Sequence, residues 1–207
     1  VSGPARALAK APPEIFEKLG FTEKCRVAVA LYESEELPTS EDALFIAGKC
    51  GVKPEKLYIL ANSLRSIAGV TQVCGRIIEC GMLQLFNCYD VGKVRYAIGV
   101  APLTPPASKS QLKILPDDSI AYAGQLTIYI DDRKLERRDL ENLAETLISA
   151  ASPHYGRSYI EIFREAGFDL SRVDVKSFAP AKVQVYNLAT GEFCVKGELK
   201  LEMLKLG

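Results

Sequence analysis

The chain has 207 residues, with 26 Lys plus Arg against 26 Asp plus Glu, one His, six Cys and no Trp, and 48% of it is hydrophobic. That length buries a substantial core without help from disulfides or metal, and the composition is that of a globular protein of one or two domains. A net charge of zero offers no basic face to nucleic acid or to an anionic membrane, and the longest apolar run, Arg26 to Tyr32, is strand-length and far below the roughly 20 residues that span a bilayer.

From the N-terminus, Val1-Ser2-Gly3-Pro4-Ala5-Arg6 has neither an initiator Met nor a signal-peptide pattern, the expectation for a chain that starts inside a longer protein. Ser2 as N-cap and Pro4 in the first turn open an Ala- and Leu-rich helix. A strand is expected over Arg26–Tyr32, then a helix capped by Ser40, with Glu41 and Asp42 in its first turn and Gly51 after Cys50. Lys56–Leu60 reads as the next strand and Val70–Cys88 as the longest helix. Val94–Val100 is a third strand. Ala101–Asp118 holds four of the eleven prolines and reads as a loop too long for a routine connection, either functional or disordered. Strand Gln125–Ile130, helices Arg137–Ala150 and Ser158–Ala166, and strands Lys182–Leu188 and Glu192–Val195 follow. The last two are joined by a hairpin in which Gly191 supplies the positive φ. Short β-branched runs alternating with helical stretches make this a mixed α/β protein.

The cysteines, Cys25, Cys50, Cys74, Cys80, Cys88 and Cys194, contain no C-x-x-C pair, and one His leaves no ordinary zinc set. They read as reduced, mostly core thiols of a cytoplasmic protein. No Gly-rich dinucleotide or P-loop motif occurs, which disfavours a dinucleotide oxidoreductase or a P-loop NTPase. His154, in a turn-like Ser-Pro-His-Tyr-Gly-Arg segment, has no visible nucleophile to serve and reads as structural.

The informative element is the helix over Val70–Cys88. Gln72, Arg76 and Glu79 fall at i, i+4 and i+7, a thin polar stripe among Val73, Cys74, Ile77, Ile78 and Leu83. Such a stripe suits a polar pocket, and it equally suits an intrahelical Arg76–Glu79 ion pair with no further role. The preceding turn, Ala61 to Gly69, is small and hydroxyl-rich. It either presents N–H groups and hydroxyls to a ligand or lets Ser66 cap a helix.

Taken in order, Ser2-Gly3-Pro4-Ala5-Arg6-Ala7-Leu8-Ala9, Ser66-Ile67-Ala68-Gly69 with Gln72, Gly75-Arg76-Ile77-Ile78-Glu79, and Gly99-x-x-Pro102-x-x-Pro105 resemble methenyltetrahydromethanopterin cyclohydrolases of archaeal and some bacterial one-carbon metabolism, methanogenesis included. Asp117-Asp118-Ser119-Ile120, Tyr155-Gly156-Arg157, Phe178-Ala179-Pro180-Ala181-Lys182 and Gly197-Glu198-Leu199 continue the match to the end. The resemblance covers the C-terminal two-thirds of that family's chain. It implies a two-domain α/β fold with mixed sheets and packed helices that lacks part of its N-terminal region. Residues 1–207 would then be the end of one domain plus the next, with an internal boundary near 101–118.

It further implies a cytoplasmic homo-oligomer, commonly a trimer, with a pterin pocket between domains, no metal, and no cofactor besides the pterin substrate. Arg76 and Glu79 fall on the family's catalytic motif: Glu79 as general base and proton shuttle, Arg76 holding it. Gln72, Ser66, Gly69, Pro102, Pro105, Ser2 and Arg6 become substrate-binding candidates. The chain departs from the family pattern at His154 (usually Asp), Ser158 (Pro), Lys196 (His), Asn62 (Pro) and Leu64-Arg65 (smaller residues). A non-catalytic pterin-binding or assembly subunit of the same fold, or an unrelated α/β interaction domain, are the alternatives.

Overall fold

A computed structural model describes residues 1–106, 114–169 and 172–205. The chain forms two compact units, Val1–Gly69 and Val70–Gly207, so the division lies upstream of the 101–118 stretch at which the sequence reading set its boundary. The reason is pairing: the strands before and after that stretch are neighbours in one sheet, which makes the proline-rich segment a connection inside the second unit.

The first unit is a β-α-β crossover. Strand β1 (Ala28–Glu33) pairs in parallel with β2 (Leu57–Asn62), in register Ala28 with Leu57 through Glu33 with Asn62. Helices α1 (Ala5–Ala9) and α2 (Pro13–Leu19) precede them, and α3 (Ser40–Cys50) makes the crossover. Ala5, Ala28, Ala30, Ile46 and Cys50 form its small core. The cap of α3 is Thr39 rather than Ser40. Thr39 Oγ1 accepts from the Asp42 N–H at 3.1 Å, and Asp42 Oδ2 accepts from the Thr39 N–H at 2.8 Å, a reciprocal box that Ser40, one residue too late, cannot make. Ser2 caps nothing either. Its N–H and C=O both pair with Leu31 at 2.9 Å, which draws the N-terminal segment along the outer edge of β1, and Pro4 takes the capping position of α1.

The second unit is built on a four-stranded sheet in order β3 (Val94–Val100), β4 (Gln125–Ile130), β5 (Lys182–Asn187), β6 (Phe193–Gly197). The pairings are antiparallel, parallel and antiparallel in turn. The period-2 pattern of β4 and β5 is obeyed: Leu126, Ile128, Ile130, Val183 and Val185 are fully buried against Leu85 of α5 (Ile77–Cys88) and Leu140, Leu143 and Leu147 in and just after α7 (Arg137–Thr146). On the opposite face Tyr96, Tyr129, Tyr186 and Phe193 stack across all four strands at centroid spacings of 4.2, 5.1 and 5.3 Å, cross-strand pairs that reinforce the register. Gly191 turns the last hairpin at φ 75°.

The proline-rich stretch, of which residues 107–113 lie outside the described residues, ends in a helix, α6 (Pro116–Ala123). Pro116 at its first position and Asp117 and Asp118 in its first turn are the ordinary start signals, masked in the sequence by the prolines around them. Helix α8 (Tyr159–Glu165) begins at Ser158, where Glu161 Oε2 accepts from the Ser158 N–H at 3.2 Å. Among the described residues no helix is long and apolar enough to cross a membrane.

Candidate active site

The helix expected over Val70–Cys88 is two helices, α4 (Ile67–Cys74) and α5 (Ile77–Cys88). Gly75, a poor helix former, and Arg76, at φ −81° and ψ 6°, interrupt the ladder: the Arg76 N–H reaches the Val73 carbonyl at 3.0 Å, a three-residue turn, and the Arg76 carbonyl accepts from the Cys80 N–H at 2.9 Å to start α5. The even progression that put Gln72, Arg76 and Glu79 on one face is therefore lost between α4 and α5. Gln72 stays on α4, partly buried, while Arg76 caps α5 and Glu79 sits in its first turn.

This break sets the geometry of the pair. Arg76 Nε donates to Glu79 Oε2 at 2.9 Å and Arg76 Nη2 to Glu79 Oε1 at 2.8 Å, a bidentate fork. The fork raises the Arg76 pKa above its ordinary value, although burial works against it. Both the guanidinium and the helix N-terminus interact favourably with the Glu79 charge. The side chains remain 33% and 55% exposed, so the pair is within reach of a ligand, and at that exposure it adds only about 0.3–0.5 kcal/mol to stability. Burial, with the Asp117 charge adding to it, pushes the Cys80 thiol up to about 12. Cys80 is thus a neutral thiol at pH 7, and no nucleophile. The charges of Glu79 and Asp117 both act on Arg76 and on Cys80. Asp117 was quoted in the sequence only as part of a motif; its place in the first turn of α6 is what a charge beside Arg76 required, and the proline loop hid it.

In the first unit, Ser66 does what a cap does. Its hydroxyl donates to the Ser63 carbonyl at 2.7 Å and accepts from the Gly69 N–H at 3.0 Å, the N-cap to N3 bond of α4. Ser63 Oγ in turn donates to Glu35 Oε1 at 2.5 Å, and Arg65 pairs with Glu35 at 3.2 Å, which joins the turns that follow β1 and β2. At Gly69 a Cβ would collide with the Ser63 carbonyl. Gly69→Ala is expected to cost about 1–3 kcal/mol, since backbone and not a movable side chain is in the way; urea unfolding measures it, and a loss within 0.5 kcal/mol, the usual scatter of surface substitutions, shows that the turn yields.

The remaining nominated residues are more scattered. Arg6 Nε donates to the Ala11 carbonyl at 2.9 Å and closes the turn after α1. Pro102 accepts a bond from the Ser119 hydroxyl of α6 through its carbonyl, and Pro105 is exposed. Ser2, Arg6, Ser66 and Gly69 belong to the first unit and Gln72, Arg76, Glu79, Pro102 and Pro105 to the second. Lys196, a departure from the family pattern, is engaged by Glu145 of α7 at 2.5 Å.

A small recess in the second unit is lined by none of these nine residues; Asp118, Tyr122, Ser152, His154, Tyr159 and Ser177 are among its walls. Its one buried charge is structurally committed. Asp118, 2% exposed, accepts the Leu115 N–H at 2.8 Å and the Tyr159 N–H at 2.6 Å, so it fastens the start of α6 to the start of α8. Among the described residues no group of three or more His, Cys, Asp or Glu side chains is placed to hold a metal ion.

A family model described as Cyclohydrolase (MCH) matches residues 1–207. The chain belongs to this family. Among its curated relatives, the methenyltetrahydromethanopterin cyclohydrolase of Methanothermobacter marburgensis is 37% identical over 207 residues, covering 98% of this chain and 64% of that protein. Those of Methanocaldococcus jannaschii and of Methanococcus maripaludis strain C7 are 36% and 35% identical, each over 99% of this chain and 64% of its own length. The chain thus spans a little under two thirds of the relatives it matches. All six cysteines are free thiols.

Proposed function

We propose that this member of the cyclohydrolase (MCH) family carries the catalytic pair of a methenyltetrahydromethanopterin cyclohydrolase, with Glu79 as general base and Arg76 as its orienting partner. The observation that supports this most directly is the bidentate Arg76–Glu79 fork at the N-terminus of α5, open to solvent on one side. The substrate's methenyl carbon sits between two nitrogens in an amidinium-like cation. Water adds to that carbon while Glu79 takes one of its protons, giving a neutral tetrahedral carbinolamine. Glu79 then returns the proton to the departing N10, the C–N10 bond breaks, the hydroxyl proton goes to solvent, and N5-formyl product remains. One substrate positive charge becomes one released proton, and water is the only co-reactant, so the reading calls for no metal or further cofactor.

Arg76 alone would repel a cation; the Glu79 carboxylate held in the fork offsets its charge. The fork fixes both oxygens of the Glu79 carboxylate against the guanidinium, so Arg76 orients the base. In the second unit Gln72 from α4 and the Pro102 and Pro105 segment are the further proposed pterin contacts; Ser66, Gly69, Ser2 and Arg6, in the first unit, are proposed on family likeness alone. A homo-oligomer, by family likeness a trimer, in the cytoplasm completes the reading; light scattering of the purified protein tests the oligomer.

The decisive test is a spectroscopic assay of methenyltetrahydromethanopterin hydrolysis, run on this chain alone and with the remainder of the relatives' length supplied. Arg76→Ala is expected to lower kcat by about 10²- to 10³-fold with a smaller rise in KM, because its charge matters most while the proton is in transit. An effect confined to KM would make Arg76 a substrate anchor instead. Substrate binding without turnover in either form would support the non-catalytic pterin-binding alternative.

A further inference from the structure

We infer that the outer edge of β2, with its apolar residues Tyr58 and Leu60, is the docking edge for a strand supplied by polypeptide of the kind found in the unmatched third of the family relatives. Three observations meet there. A sheet of two parallel strands has an edge on each side, and in this one the β1 edge is occupied at its middle, where Ser2 pairs with Leu31; beside β2 no strand is found among the described residues. Two-stranded sheets are marginal alone, and parallel strands are ordinarily buried on both faces within larger sheets. In β2, however, Tyr58 is 57% and Leu60 56% exposed, two residues apart and hence on one face. Leu44 and Phe45 of α3 and Ile67 of α4 are also exposed, so the first unit leaves several large apolar side chains in water.

The occupant follows from the relatives. About a third of their length has no counterpart in the 207 residues here, and a family whose sheet is left at two strands by the matched part has its further strands to find in the rest. An unpaired row of N–H and C=O groups gives such a strand its hydrogen bonds, and Tyr58 and Leu60 give it an apolar face to cover. The turn that carries Ser66 and Gly69 leaves from the C-terminal end of β2, the end of parallel strands at which ligands bind in open α/β sheets, so adding the strand also steadies that turn. The inference rests on the family and the sheet, not on the catalytic reading.

The test mixes the full 207-residue chain with a polypeptide comprising the unmatched remainder of the Methanothermobacter marburgensis relative, and follows mass and backbone hydrogen exchange. A one-to-one complex is expected, with exchange at 57–62 slowed at least about tenfold and slowing that extends into 63–69. A Tyr58→Asp, Leu60→Asp double variant is expected to keep the free chain's circular dichroism, since both side chains are exposed, and to weaken the complex at least tenfold. No complex, a complex that leaves 57–62 unprotected, full binding by the double variant, or a free chain already paired through β2 with a second copy would each overturn the inference. None of these readouts involves turnover, so a failed cyclohydrolase assay leaves the result intact.

Discussion

Glu79→Gln is expected to lower kcat for methenyltetrahydromethanopterin hydrolysis by about 10²- to 10⁴-fold, the range for losing a positioned general base, while KM changes little and the unfolding midpoint stays within about 2 °C. The two halves of that expectation come from the same geometry. Gln keeps the shape of the side chain and can still accept one bond from Arg76, but it takes no proton from water. The pair it disturbs is an exposed i,i+3 fork whose contribution to stability is a fraction of a kcal/mol. Activity and stability are thus separable at this residue. Full turnover in Glu79→Gln would remove the catalytic assignment, and a large loss of stability would mean that the fork holds the break between α4 and α5 together.

Asp118 reverses the pattern: its replacement is expected to cost stability. Its carboxylate accepts the backbone N–H groups of Leu115 and Tyr159, and Asp118→Ala leaves both buried donors unmet, at about 2–5 kcal/mol in urea unfolding. Its titration gives a second signature. Burial, and secondarily the Glu161 charge, push the Asp118 pKa up to about 6, although its two N–H bonds pull the other way. A carboxyl raised above its unfolded value of 3.8 binds its proton more tightly when folded. Its stabilising contribution is therefore complete below about pH 4, is lost between pH 4 and 6, and stays lost above. The size of that loss is on the order of 3 kcal/mol. Other carboxylates act in the opposite sense: Asp42, held low by Thr39, and Asp132, held low by the Lys134 N–H and Tyr89, favour the folded state more as pH rises. The Asp118 contribution is isolated by subtraction. The unfolding free energy of the wild type minus that of Asp118→Asn should fall between pH 4 and 6 and be flat above; a difference independent of pH would place the carboxyl in its ordinary range.

Much of this fold is legible in the residues because local physics sufficed. The strands over Val94–Val100 and Gln125–Ile130 are found where β-branched alternation put them, since one face of each had a core to meet. The Gly191 hairpin and the helix after Ser158 are likewise carried by turn and cap chemistry. Where local signals competed, the sequence misled. Four prolines concealed α6, although Pro116 and its two acidic neighbours are good start signals. A long apolar run concealed the interruption at Gly75 and Arg76, because a 3.6-residue period continues on paper through a backbone that has stopped following it. Thr39 and Ser40 are both competent caps, and only the position of Asp42 three residues after Thr39 separates them.

The candidate site divides in the same way. That Arg76 and Glu79 stand three residues apart in a small, apolar context is written in the sequence, and family likeness is what proposes their roles. Tertiary structure decided that they form a fork at a helix start instead of a stripe along a rod, because the break at Gly75 frees Arg76 from the helix body. It also decided that Asp117 contributes its charge beside them, since a residue some forty positions away reaches Arg76 only through the packing of α6. The sequence by itself determined the fold class, most strands, the family and the close spacing of Arg76 and Glu79, all properties of neighbours along the chain. The tertiary structure alone decided that Asp118 is buried, that the Ser66 hydroxyl is spent on a cap and that β2 has a single strand neighbour among the described residues, because each depends on what distant residues bring to the same place.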